Sequence, residues 1–74
     1  MIIVKIANDV SQKVLEEIER FVKEEGTLNP AFNGWEFEVE RGEFTEILAG
    51  EDQDNLDLVG LFYGIQNIIL ESKI

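Results

Sequence analysis

Apolar and polar positions alternate with period two at the start of the chain and again in its middle. They recur at helical spacing in two longer segments. Residues 1–7, MIIVKIA, are rich in β-branched side chains, which suit a pleated, half-buried surface, and read as a strand. Ile2, Val4 and Ile6 fall on one side of it, and Ile3, Lys5 and Ala7 on the other. Residues 10–25, VSQKVLEEIERFVKEE, place Val14, Ile18, Phe21 and Val22 on one helical face, flanked by Val10 and Leu15. Asp9 is the expected N-cap, with Gln12 as its capping-box partner, and Gly26 the expected left-handed residue that ends the helix. Glu16 with Arg20 and Glu19 with Lys23 form i,i+4 pairs of the favourable orientation.

Residues 27–34, TLNPAFNG, contain two turn signals, Asn29-Pro30 and Asn33-Gly34, and read as a loop with Phe32 packed down as a plug. The next stretch, WEFEVERGEFTEILA over residues 35–49, reads as a hairpin. A two-residue loop at Arg41-Gly42 would mix apolar and charged positions on one face. A three-residue loop, Glu40-Arg41-Gly42, with Gly42 in the left-handed bulge position, instead pairs Val39 with Glu43, Phe37 with Thr45 and Trp35 with Ile47. Trp35, Phe37, Val39, Thr45, Ile47 and Ala49 then share the inner face. A one-residue slip would exchange the faces, so the side-chain pattern selects this register. Residues 55–71, NLDLVGLFYGIQNIILE, read as a second helix with Leu58, Leu61, Phe62, Ile65, Ile68 and Ile69 inward. Asp54 is its expected cap, and Asp57 suits the positive end of the helix dipole.

The order β-α-β-β-α predicts one α+β domain over residues 1–74. It is a two-layer open sandwich: a three-stranded, mainly antiparallel sheet with both helices on one face. The first strand–helix–strand crossover, where parallel, is expected to be right-handed. The strand order is expected to be 1-3-2, with 1-2-3 as the alternative.

Composition then narrows the function. A chain of 74 residues with 45% hydrophobic content can fold as a single small domain, and such a domain buries a modest share of its surface. It contains neither cysteine nor histidine, so disulfides and the usual zinc sites cannot staple it. Sixteen acidic residues face six basic ones, a net charge of −10. That balance opposes direct binding to nucleic acid or to anionic membranes and favours a basic protein surface as partner. The longest apolar stretch, 56–70, is interrupted by Asp57, Gln66 and Asn67 and is too short for a bilayer. The start lacks a basic n-region, so no signal peptide is read and a cytoplasmic location is expected.

Catalytic groups are scarce, and no enzyme activity, catalytic residue, metal or cofactor is expected. Ser11 and Ser72 have no histidine to activate them, and no glycine loop leads into a phosphate-binding GK[ST]. The acidic stretch GEDQDNLD, residues 50–57, starts with the Asp-x-Asp spacing of a calcium loop at Asp52 and Asp54. It then fails the pattern: Leu56 takes the third ligand position, Asp57 the turn glycine and Tyr63 the bidentate glutamate. Glu51, Asp52, Asp54 and Asp57 are therefore read as an acidic patch and helix cap, with weak divalent-cation binding as a minor alternative.

Two interaction surfaces remain. On the outer sheet face Glu36, Glu38, Glu40 and Glu46 form a regular anionic row, and charge runs of this kind are most often solvated surface. Phe44 and Leu48, apolar among those carboxylates, have the look of interface anchors ringed by charge. Compact acidic chains without catalytic residues look like phage-type inhibitors that mimic nucleic acid. That likeness is one of type and rests on no motif. The expected function is thus a small acidic protein-binding or inhibitor module. The alternative is a homo-oligomer, formed through the outer sheet face or through Gly60 and Gly64, whose G-x-x-x-G spacing allows close helix approach. Close packing within the chain is the commoner use of helix glycines.

Overall fold

The structure, a computed structural model, describes residues 1–49 and 55–73. The elements run β1 (Ile2–Ala7), α1 (Gln12–Leu28), a short 3-10 turn (Pro30–Phe32), β2 (Phe37–Gly42), β3 (Glu46–Leu48) and α2 (Asn55–Glu71). This is the expected β-α-β-β-α sandwich. Ile2, Val4 and Ile6 are fully buried beneath Leu15, Ile18 and Val22 of α1 and Leu58, Leu61, Ile65 and Ile69 of α2. Both helices therefore cover one face of the sheet.

The sheet corrects the hairpin. The strand order is β2-β1-β3, with β2 parallel and β3 antiparallel to β1, so the sheet is mixed and neither expected order holds. β2 and β3 do not pair: Val4 lies between Val39 and Ile47, and Lys5 between Glu40 and Glu46. Expected partners such as Phe37 and Thr45 are separated by a whole strand. The physical reason lies in β1. It is the most apolar strand, and the central place satisfies the backbone groups on both its edges. The acidic β2 and the three-residue β3 take the edges, where charge and shortness discourage pairing with other chains. The inserted strand also removes a conflict, because a hairpin would have set Glu38 and Glu46 close together with no cation between them.

The link from β2 to β3 passes the end of β1 and is tied there. Thr45 Oγ1 accepts a hydrogen bond from the Ala7 N–H (3.1 Å), at the place where β3 has not yet begun. On the helix side, Arg41 Nη1 donates to the carbonyls of Ala7 (3.0 Å) and Val10 (2.6 Å), fastening the β1–α1 turn to β2. Gly42 is not in the left-handed region; it sits in β2 opposite Ala7. The Lys5 stem lies over it, and a Cβ there would come within 3.1 Å of Lys5 Cδ.

Both ends of α1 differ from expectation. Ser11, not Asp9, is the N-cap, its Oγ accepting from the Val14 N–H (3.3 Å). Gly26 does not end the helix, which continues to Leu28 and is capped by Asn29. Gly26 serves close packing instead: a Cβ there would stand 3.2 Å from Phe37 Cδ2. Phe37 also meets buried Phe32 edge-on, with centroids 5.3 Å apart, and Trp35 lies 5.4 Å from the same ring. Phe32 is thus the plug expected from the sequence. Gly34, at φ 85°, makes the left-handed step out of this turn. The two i,i+4 pairs on α1 do not close. Among the described residues the one ion pair is Lys5–Glu40, at 3.7 Å. α2 occupies its expected span, with Phe62 and Ile68 half-buried at the margins of its inner face. The Asp54 cap lies outside the described residues.

Candidate protein-binding surface

Among the described residues no helix lies over the outer sheet face, and the register fixes what that face displays. One row runs Glu38, Ile3, Leu48; the next runs Glu40, Lys5, Glu46. The expected surface residues share this face, but in a different arrangement. Glu38 and Glu40 follow one another along the β2 edge, about 7 Å apart as i,i+2 neighbours. Glu46 stands on the opposite edge, two strand spacings or about 10 Å away. Glu36 immediately precedes β2; its side chain is exposed, and its carbonyl accepts from the Ile2 N–H (2.8 Å). The anionic row is therefore a pair of acidic margins around a centre of Ile3 and Lys5. Lys5 neutralises one carboxylate, Glu40, and leaves Glu36, Glu38 and Glu46 without an ion-pair partner.

Phe44 and Leu48 remain outside the core. Phe44, in the link that passes the end of β1, is 70% exposed, and Leu48 is 43% exposed. Leu48 also lines an open groove of about 630 Å³ between β3 and α2, together with Ile47, Ala49, Val59, Phe62 and Tyr63. Among the described residues no charged side chain lines this groove. Of the acidic patch, Asp57 lies in the first turn of α2, while Glu51, Asp52 and Asp54 lie outside the described residues.

The two glycines of the G-x-x-x-G do different jobs. Gly64 faces α1, where a Cβ would overlap the Phe21 ring, 2.8 Å from Cε2. Gly60 looks onto open space, with nothing within 4 Å of a Cβ built there. Close packing inside the chain thus explains Gly64 and leaves Gly60 unexplained.

The hydrophobic pattern contained one surface that reading only the inward face of α2 misses. Val59, Tyr63 and Leu70 follow each other at helical spacing on the side opposite the core and are 46%, 64% and 59% exposed. The signal was present: a helix apolar on nearly every side is normally covered on more than one. No helix among the described residues is long and apolar enough to cross a membrane. Comparison with protein-family models, with curated proteins and with solved structures returned no match.

Proposed function

We propose that this protein is a small acidic binding module that seats its outer sheet face on a basic surface of another protein, in the manner of a nucleic-acid mimic. The observation that supports this reading is the uncovered sheet face, acidic along both edges, with exposed Phe44 and Leu48 beside the carboxylates. Acidic margins steer a cationic partner and set the salt dependence, while apolar anchors give the contact its desolvated part. A surface that binds nucleic acid is the partner of matching chemistry, because it already presents cations spaced for phosphates. Ile3, at the centre of the face and half-buried, offers an apolar floor between the two margins.

The test is affinity capture from the source cell at about 0.05 M and about 0.5 M salt, followed by titration of the captured protein. Release at the higher salt and competition by duplex nucleic acid are expected. Reversing Glu36, Glu38 and Glu46 to lysine, with Glu40 kept because it pairs with Lys5, should weaken binding by more than about tenfold and leave the fold intact. A triple variant that binds as tightly as the parent sinks the proposal.

A further inference from the structure

We infer that two copies of this chain associate through the outward stripe of α2, meeting antiparallel about Tyr63. Residues 58–70 carry no charged side chain. α1, of the same 17-residue length, carries charges at Lys13, Glu16, Glu17, Glu19, Arg20, Lys23, Glu24 and Glu25. In a chain of net charge −10, the outside of α2 is where an apolar surface replaces a charged one. That distribution selects the occupant. A basic partner would find no carboxylate along residues 58–70 to pair with. Two strongly acidic copies can approach only where neither presents charge, and this face satisfies both.

The shape agrees. Val59, Tyr63 and Leu70 stand out from the helix, and bare Gly60 flanks them on the α1 side, beside Phe21 and Glu25, with nothing within 4 Å of a Cβ built there. A glycine at an exposed helix position costs about 0.5–1 kcal/mol relative to alanine, so an uncrowded Gly60 has no use inside the monomer. Across a two-fold axis it lets the second helix come close, bringing Gln66 and Asn67 of the other copy alongside. An isologous contact must also supply its own socket. The groove lined by Leu48, Val59 and Phe62 opens beside Tyr63 and can receive an aromatic side chain from the other copy. A stable pair needs roughly 800 Å² per partner, about a sixth of the 5142 Å² that this chain exposes. Leu48 is shared with the docking face proposed above, but Glu36, Glu38, Glu46 and Phe44 do not line the groove, so this association leaves the carboxylates of both copies open.

Sedimentation of the full chain over a range of concentrations, at low and high salt, tests the inference. A dimer is expected that tightens as salt rises, because screening relieves repulsion between like-charged copies; docking to a basic partner carries the opposite sign. Val59→Glu with Tyr63→Glu should weaken the dimer by at least about tenfold, with circular dichroism unchanged since both positions are exposed. The chain lacks cysteine, so Tyr63→Cys under mild oxidation should give a disulfide-linked dimer, and Phe44→Cys on the other layer should not. A monomer at high micromolar concentration in high salt overturns the inference. So does a dimer that survives the double charge substitution, or one that Phe44→Cys traps as readily as Tyr63→Cys.

Discussion

At the scale of single residues, two glycines four positions apart on α2 make opposite predictions. Gly64 gives up helix propensity so that Phe21 can lie against the α2 backbone. Gly64→Ala should gain about 0.5–1 kcal/mol of propensity and lose about 1–3 kcal/mol to overpacking, a net destabilisation. Phe21→Leu in the same chain should recover part of that loss. Gly60→Ala meets nothing and should stabilise the monomer by about 0.5–1 kcal/mol. Urea melts of the variants, at concentrations too low for association, separate these outcomes; equal effects at the two positions would contradict the packing described. Sequence could not assign the glycines, since helix stop, internal contact and external contact all use the same missing side chain. Gly26 shows the same ambiguity: it reads as a C-terminal cap and serves as the seat of the Phe37 ring.

At the scale of elements, the helices were legible and the strand neighbours were not. α2 spans the residues its pattern marked out, because a broad apolar face and a charged start identify a helix from local sequence alone. The strands of the middle segment also face the way their alternation indicates, with Phe37, Val39 and Ile47 toward the helices. A period of two fixes which side of a sheet a residue faces and is silent on which strand lies beside it. The glutamates of β2 are compatible with a hairpin or with an inserted β1; Lys5, a single cation on the first strand, was the residue that favoured insertion. The insertion depends on the link carrying Thr45, whose hydroxyl replaces a ladder partner for Ala7. Thr45→Val keeps the shape and removes the acceptor. It should destabilise by about 1–3 kcal/mol in a thermal or urea melt, the cost of leaving a part-buried N–H unpaired. Thr45→Ser should behave nearly as the parent. The outer sheet face was legible to the same degree: alternation says which side chains turn outward, and only the register supplies their arrangement.

At the scale of the whole molecule, charge opposes folding. With one ion pair among the described residues, the net charge of −10 is mostly uncompensated repulsion. The melting temperature should therefore rise as salt is added, since the Debye length falls from about 30 Å at 0.01 M to about 8 Å at 0.15 M. Thermal melts of the dilute monomer check this. A temperature that falls with salt would mean that attractive pairs dominate. The central position of β1 has a separate consequence for how the chain acquires its structure. The strand with two neighbours is made before either of them, since its partners begin only at Phe37 and Glu46. No local hairpin can start the sheet, so every ladder bond must wait for a long loop to close, which slows folding relative to the helices. Until then IIVKIA has two open edges, and α1, the next element made, is its nearest cover. A chain interrupted before residue 37 keeps the most adhesive strand of the molecule and lacks both strands that occupy it.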